Sequence, residues 1–423
     1  MIYLDHAAAT PVSSKVFEAM KPYFSDEFFN PSSAYLPAKK VAAEYEAAKA
    51  VIAHAIGAKS SDLVMTAGAT EANNLAFSCI GIKPVLSSAG LEFSSTSYAG
   101  TPVEPPLRGE PVGSVRNIRV ENSNRTFMLQ KAPVLYLSIE HESVRKVAER
   151  YGGVAIDVDR NGRILMEDLR RKINDGLMLI SVALVNNELG VIQPLSEIAA
   201  FVREVRMDRL ARGVKTPLYL HSDASQALNL LSVNVARLGV DLLTLNAAKV
   251  YGPKGVGCLY VSHEVKLSPL FVGGGQERGL RSGTENAPGV IGFAKAVEEL
   301  CKHLNGNRKK YAAWRKILLS ELEGCELVNK KHTLDNFVVL CYNGVDAERL
   351  IFLLEDKGVY VSTGAACAAS KGQKSHVLSA IGLSDSEING SLRLTFGETN
   401  DESQIREAAR LINEAVKIER NRK

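Results

Sequence analysis

From residue 134 to residue 261 the chain repeats one pattern: a short apolar run, then a segment with helical spacing. Apolar runs at 134–139, 154–158, 178–184, 218–222, 241–246 and 256–261 predict strands. Segments 142–151, 167–174 and 195–205 predict the helices between them. Strands that are apolar throughout and joined through helices form a mainly parallel sheet covered on both faces. This alternation makes the chain an α/β protein and excludes helical bundles and all-β sandwiches.

Upstream, Ser13 or Ser14 caps a first helix running to Met20, and a second helix spans 37–56. A strand at 62–66 leads into a helix opened by Gly68-Ala-Thr-Glu-Ala-Asn-Asn74. Beyond about 265 the texture changes. A glycine-rich loop, 273–283, precedes a long helix near 288–322, strands near 337–342 and 358–361, and an amphipathic helix 401–418. This later part reads as a smaller α+β domain. Residues 81–133 hold six of the chain's 15 prolines and little periodicity, and read as an irregular insertion.

Composition narrows the function classes. A length of 423 residues allows two or three domains, and a net charge of +4 is too slight for a nucleic-acid or membrane-surface protein. No apolar run is long enough to span a bilayer. The N-terminus shows no signal peptide, and six scattered cysteines without a C-x-x-C pair argue against disulfides and a zinc site. A reducing, cytoplasmic setting follows as the expectation.

Lys249 and five other sites carry chemistry when read together, although each has an ordinary structural reading alone. Lys249 ends an apolar strand and precedes Tyr251-Gly-Pro253. A desolvated lysine there has a lowered pKa and serves as a free amine for a carbonyl cofactor. Gly68-Ala69-Thr70, between strand and helix, offers backbone amides and a hydroxyl to a phosphate, or is a plain helix cap. His141 follows a strand end and can stack on a ring or move protons. Asp223 closes a strand, where a carboxylate can pair with a protonated pyridine nitrogen or cap a turn. Cys367 lies among Ala, Ser, Gly and Lys, the setting of an accessible thiol, and Arg393 can clamp a carboxylate bidentately. The other five cysteines read as structural.

The chain resembles the cysteine desulfurases, pyridoxal-phosphate enzymes of fold type I and aminotransferase class V. The resemblance rests on Tyr3-Leu-Asp-His-Ala-Ala-Ala-Thr10, Asn30-Pro-Ser-Ser33, Gly68-Ala-Thr-Glu71, Glu140-His141, Asn186-Asn-Glu-Leu-Gly190, Asp223-Ala-Ser-Gln226, Lys249 with Tyr251-Gly-Pro-Lys-Gly255, Arg281-Ser-Gly-Thr284, Ala366-Cys367 and Ser375-His-Val-Leu378. These run in order along nearly the whole chain, omitting 81–133 and a stretch near 206–216.

That resemblance implies a large domain, 14–264, with a mainly parallel seven-stranded sheet between helices. It also implies a smaller α+β domain from 1–13 and 265–423. Lys249 then binds pyridoxal 5'-phosphate covalently, Asp223 pairs with the pyridine nitrogen, Gln226 and Asn187 lie at the ring hydroxyl, and His141 stacks on the ring. Ala69 and Thr70 hold the phosphate, reached by Thr284 from the other subunit of a homodimer. Arg393 and Asn187 receive the carboxylate of L-cysteine. Cys367 takes the sulfur as a persulfide and passes it to an acceptor protein for iron–sulfur clusters or tRNA thiolation, leaving L-alanine. Selenocysteine lyase or another class V lyase, and a catalytically weak sulfur-transfer scaffold, are the alternatives. One departure bears on the cofactor: Asn246-Ala-Ala248 stands where the family has Ser-x-His beside the phosphate, so Asn246 becomes the donor there.

Overall fold

The computed structural model describes residues 1–78, 132–363 and 374–422. In chain order the first eight strands are β1 (Ile2–Tyr3), β2 (Leu63–Thr66), β3 (Val134–Leu137), β4 (Val154–Ile156), β5 (Leu179–Ser181), β6 (Tyr219–Asp223), β7 (Leu242–Asn246) and β8 (Gly257–Val261). All but β1 form one seven-stranded sheet in the order β2-β8-β7-β6-β5-β3-β4. Strands β7, β6, β5, β3 and β4 run parallel, and β8 is antiparallel to both β2 and β7.

The sheet is buried on both faces, and the alternation of side chains shows how. Leu135 and Leu137 join one apolar layer, while Val134 and Tyr136 join the other. The same split separates Leu63 and Met65 from Val64. Neighbouring residues on a strand point to opposite faces, so an all-apolar run fills two layers at once.

The helices fall close to their expected places. Ser13 Oγ accepts from Val16 N at 3.3 Å and caps Ser14–Met20. Leu36–Ala55 begins with Pro37 in its first turn, where a missing N–H is harmless. Leu195–Ala211 outruns the predicted 195–205. Its final turns are rich in charge, which hides them from an apolar pattern. Arg209 is nonetheless buried there, donating to the carbonyls of Asn174 at 2.6 Å and Leu177 at 2.9 Å.

The remaining strands are β9 (Glu326–Leu327), β10 (Phe337–Cys341), β11 (Val359–Tyr360), β12 (Ser362–Thr363) and β13 (Ser391–Thr395). Four of them make an antiparallel sheet, β12-β13-β10-β9, and β1 pairs in parallel with β11. The strand expected at 358–361 is β11, and a second short strand, β12, follows it in a different sheet. A 35-residue helix, Ala287–Glu321, packs against both Leu36–Ala55 and the last helix, Glu402–Asn421. Asp401 caps that last helix, accepting from Gln404 N at 2.8 Å. The proposed insertion lies outside the described residues up to position 131.

The parallel strands end on one side, and there the chemistry gathers. Glu140-His141 follows β3, Asp223 ends β6, and Lys249 follows β7. Open α/β sheets hold their ligands outside these carboxyl ends.

Candidate active site

Lys249 closes a 3-10 turn, Ala247–Lys249, directly after β7. Asn246 caps that turn, its Oδ1 accepting from Ala248 N at 3.1 Å. The side-chain oxygen therefore works locally, and the amide nitrogen is the group Asn246 has to offer a phosphate. Lys249 Nζ donates to the carbonyls of Ala7 at 2.9 Å and Ala8 at 2.6 Å. Gln226 Nε2 donates to the same Ala7 carbonyl at 2.9 Å. The N-terminal segment thus brings Lys249 and Gln226 to one acceptor. Asn229 holds the lysine from behind, donating to its carbonyl at 2.6 Å.

Asp223 is 8% exposed and is held by neutral donors: Ser225 N at 2.9 Å and Asn73 Nδ2 at 2.8 Å. No cation of the protein enters these bonds. Asn73 also donates to Ser143 Oγ at 2.9 Å, and Ser143 Oγ lies 2.9 Å from His141 Nδ1. A hydrogen-bonded chain therefore runs Asp223–Asn73–Ser143–His141. Its direction is fixed at both ends. Ser143 Oγ accepts from Asn73, and Ser143 N donates to His141 Nδ1 at 3.1 Å. His141 Nδ1 is then an acceptor, and in the neutral ring the proton sits on Nε2. Burial lowers the imidazole pKa below its ordinary value, Lys249 reinforces the shift, and Asp223 opposes it. His141 also caps the helix Glu142–Arg150.

Arg393 lies in the middle of β13, 4% exposed. Its Nη1 donates to the Asn187 carbonyl at 2.9 Å and its Nη2 to Asp5 Oδ1 at 2.6 Å. Its Nε is buried with no hydrogen-bond partner among the described residues. Asn187 is half-buried, whereas Asn186 is structural: its Oδ1 accepts from Glu188 N and Leu189 N at 2.9 and 2.8 Å. Two buried acids flank this corner. Glu140 accepts from Ala183 N at 2.6 Å, and burial pushes its carboxyl well above the usual range. Glu188 Oε2 accepts from Ser375 Oγ at 2.6 Å, and burial raises its pKa to about 7. His376 donates through Nε2 to the Glu140 carbonyl at 2.9 Å. The chain immediately after 364–373 is thereby pinned to the ends of the parallel sheet. Cys367 itself lies outside the described residues.

A third side of this rim is built by the turn before Ala69–Ser78. Gly68 adopts φ +144, a conformation closed to other residues, and nothing stands within 4 Å of where its Cβ would be. Gly257 on β8 must also be glycine, because a Cβ there would meet Gly68 atoms at 2.8 Å. Glu71 Oε2 accepts from Ala67 N at 2.9 Å and fixes the turn. Thr70 is exposed at the helix N-terminus, whose unpaired amides suit an anion. Room for a dianion, a lysine amine and a buried carboxylate on one rim together fit pyridoxal phosphate. Thr284 stands exposed, and no hydrogen bond among the described residues joins it to this set.

Sequence reasoning assigned no role to Asp5, Asn73, Ser143, Glu188 or Ser375. Asn73 and Asn74 inside a helix are poor helix formers, and that was a readable signal. The others announce themselves only through their partners.

This fold and rim define a fold-type I pyridoxal-phosphate architecture, and comparisons with known proteins agree. The chain belongs to the aminotransferase class-V family, whose profile matches residues 2–89 and 116–407, and within it to the cysteine desulfurase family. The cysteine desulfurase IscS of Dictyoglomus turgidum is 34% identical over 401 residues, covering 94% of this chain and 89% of that protein. The cysteine desulfurase IscS 1 of Archaeoglobus fulgidus is 35% identical over 418 residues, covering 96% and 94%. Among solved structures, a NifS-like protein superposes with a TM-score of 0.78 at 26% identity, covering 99% of each chain. The protein SspA, solved in complex with cysteine, superposes at 0.71 with 28% identity, covering 94% of this chain and 99% of that one. The gap in the family match, 90–115, falls inside the proposed insertion.

Proposed function

We propose that this protein is a pyridoxal-phosphate-dependent cysteine desulfurase that converts L-cysteine to L-alanine and passes the sulfur onward as a persulfide. The observation that carries this is that the Asp5–Ala8 segment bonds both Lys249, just after β7, and Arg393, in the middle of β13, while His141 feels the charges of both Lys249 and Asp223. Lys249 would hold the cofactor, Asp223 its ring nitrogen, Gln226 and Asn187 its ring hydroxyl, and His141 its face. Ala69, Thr70 and Asn246 would hold its phosphate. When bound, the cofactor supplies an electron sink for the substrate's Cα.

The chain's own residues do the rest. Arg393, fixed in plane by Asp5 and Asn187, has its buried Nε–H left to meet a carboxylate. Lys249 Nζ would take the proton from the substrate's Cα and return it to carbon. The Cys367 thiolate attacks the substrate sulfur. A new S–S bond forms on Cys367, the substrate's C–S bond breaks, and its electron pair goes to the substrate carbon, which is protonated to give alanine. The protein acts on L-cysteine in the cytoplasm, and the persulfide is handed to an iron–sulfur scaffold or tRNA-thiolation protein.

A two-fold homodimer belongs to this reading. Phe17, Phe24, Phe28, Tyr35 and Leu36 near the N-terminus, and Phe271 and Val272 beside the glycine-rich loop, are all exposed. Ser32 donates to Glu285 at 3.4 Å and ties the two regions together. A second copy covering this face would receive Thr284 at its phosphate. The test is borohydride reduction followed by peptide mapping, with alanine formation measured on the same sample. A cofactor adduct on Lys249 and alanine from L-cysteine are expected. An adduct on another lysine, or an adduct without alanine, would overturn the reading.

A further inference from the structure

The glycine-rich loop contains two residues in an uncommon conformation. Glu277 has φ 48 and Arg278 has φ 62, between Gly275 at φ 83 and Gly279 at φ 75. Side chains with a Cβ resist this left-handed region, so something must hold them there. The holder is the Glu277 carboxylate, whose side chain is 5% exposed. Its Oε1 accepts from Tyr45 Oη at 2.6 Å, and its Oε2 accepts from Lys49 Nζ at 3.1 Å and Met65 N at 2.8 Å. Lys49 is buried as well, at 7%. Tyr45 and Lys49 lie on Leu36–Ala55, and Met65 lies on β2, the edge strand of the central sheet. A buried carboxylate with three donors of this kind is a fixed point, because moving it strands a charge on each side.

Two chain segments leave that fixed point. From Met65, the chain runs on through Ala67 to Gly68, Ala69 and Thr70, the phosphate turn. From Glu277, it runs on to Arg281, whose Nε donates to Glu71 Oε1 at 2.9 Å in the first turn of the same helix. The loop then closes on itself, Gly283 N donating to Gln276 Oε1 at 3.0 Å, just before Thr284. One carboxylate therefore anchors the turn that faces its own subunit's phosphate and the loop that ends in Thr284.

We propose that Glu277 is a positioning residue for the phosphate of the cofactor, setting the Ala67–Thr70 turn and the Thr284 loop from a single buried anchor. The inference rests on the pyridoxal-phosphate reading given above. It makes the phosphate grip of the two sites in a dimer depend on each subunit's Glu277, and through it on Lys49. Glu277→Gln keeps the shape and loses the charge opposite Lys49, and Glu71→Gln loses the charge opposite Arg281 at a residue that also accepts from Ala67 N.

The experiment compares two ligands on the full chain after cofactor removal: pyridoxal phosphate, and pyridoxal, which lacks the phosphate. Binding is read from visible absorbance, and thermal midpoints are recorded in parallel. For Glu277→Gln the expected result is a loss of pyridoxal-phosphate affinity of about tenfold, one factor of ten in the binding constant. Pyridoxal affinity should change by less than about twofold. Glu71→Gln should move in the same direction by a smaller factor. An equal loss for both ligands, or a lowered thermal midpoint with an unchanged affinity ratio, assigns Glu277 to general stability and overturns the proposal. Absence of binding of either ligand to the wild-type chain overturns instead the cofactor reading on which it rests.

Discussion

Arg393 Nη2 donates to Asp5 Oδ1 at 2.6 Å, so two residues 388 positions apart share one buried ion pair. With Nη1 on the Asn187 carbonyl, the guanidinium cannot swivel. The clamp proposed at Arg393 is thus pre-oriented before substrate arrives. Pre-organisation of this kind reduces the entropy lost on binding.

Arg393→Lys keeps the charge and loses the planar fork. Charge-assisted hydrogen bonds contribute about 1.5–3 kcal/mol each, so KM for L-cysteine should rise roughly ten- to a hundredfold. The fall in kcat should be smaller. Steady-state alanine release gives both numbers, and an unchanged KM would detach Arg393 from the substrate carboxylate.

Cys367→Ala should abolish alanine formation while the spectral change on adding L-cysteine persists, because the thiol acts after substrate has bound. Alkylation at neutral pH should select Cys367. Burial pushes the Cys258 thiol up to about 12 and the Cys341 thiol up to about 11 and raises Cys325, while Cys301, though exposed, is also raised. Thiols of that kind are poor nucleophiles. Peptide mapping after brief iodoacetamide treatment decides the matter.

Ala248→His should slow cofactor loss. Asn246 spends its oxygen on capping the turn, which leaves its amide nitrogen as the donor toward a phosphate. Restoring an imidazole adds a second donor, worth on the order of 1.5 kcal/mol, or about tenfold in the rate of loss. Dialysis against a cofactor scavenger, followed by absorbance, measures it. Equal rates for the two proteins would mean that another group already grips the phosphate.

Glu188 makes stability depend on pH. Its folded pKa of about 7 lies above the ordinary carboxyl value of 4.5, mainly through burial. A raised pKa means that the folded state holds the proton more tightly. Its favourable contribution is complete below pH 4.5 and is lost as pH rises through 7. A tenfold difference in proton affinity between folded and unfolded chains is worth about 1.4 kcal/mol, so Glu188→Gln should gain on wild type by on the order of 3 kcal/mol between about pH 4.5 and 7.5. Urea melts across this range test it, and a difference that stays flat with pH would show a carboxyl of ordinary acidity.

The alternation of apolar runs located all seven strands of the central sheet, because a strand buried on both faces leaves a continuous mark in the sequence. It did not show that β8 runs antiparallel between two neighbours, since direction depends on connections that periodicity does not encode. Lys249 and Asp223 were proposed from their strand ends, Arg393 from its place within an apolar strand, and all three from resemblance. Asp5, Asn73 and Ser143 were not, because each acts through at least one hydrogen bond to a residue distant in sequence. Arg209 misled in the opposite sense: a buried arginine in an otherwise exposed, charged helix end left no apolar mark. The left-handed pair Glu277–Arg278 was equally silent, since a non-glycine residue carries no mark of the φ its partners impose.

The N-terminal segment supplies the carbonyls of Ala7 and Ala8 to Lys249, 242 and 241 residues later, and Asp5 to Arg393. It is therefore the first part of the site to leave the ribosome and the last to find its partners. At roughly 5–20 residues per second, about twenty seconds to more than a minute separate the synthesis of Asp5 from that of Arg393. During that interval β1 has no β11 beside it, and Asp5 has no guanidinium. A nascent chain of this protein cannot form the Asp5–Arg393 pair until residue 393 has been made.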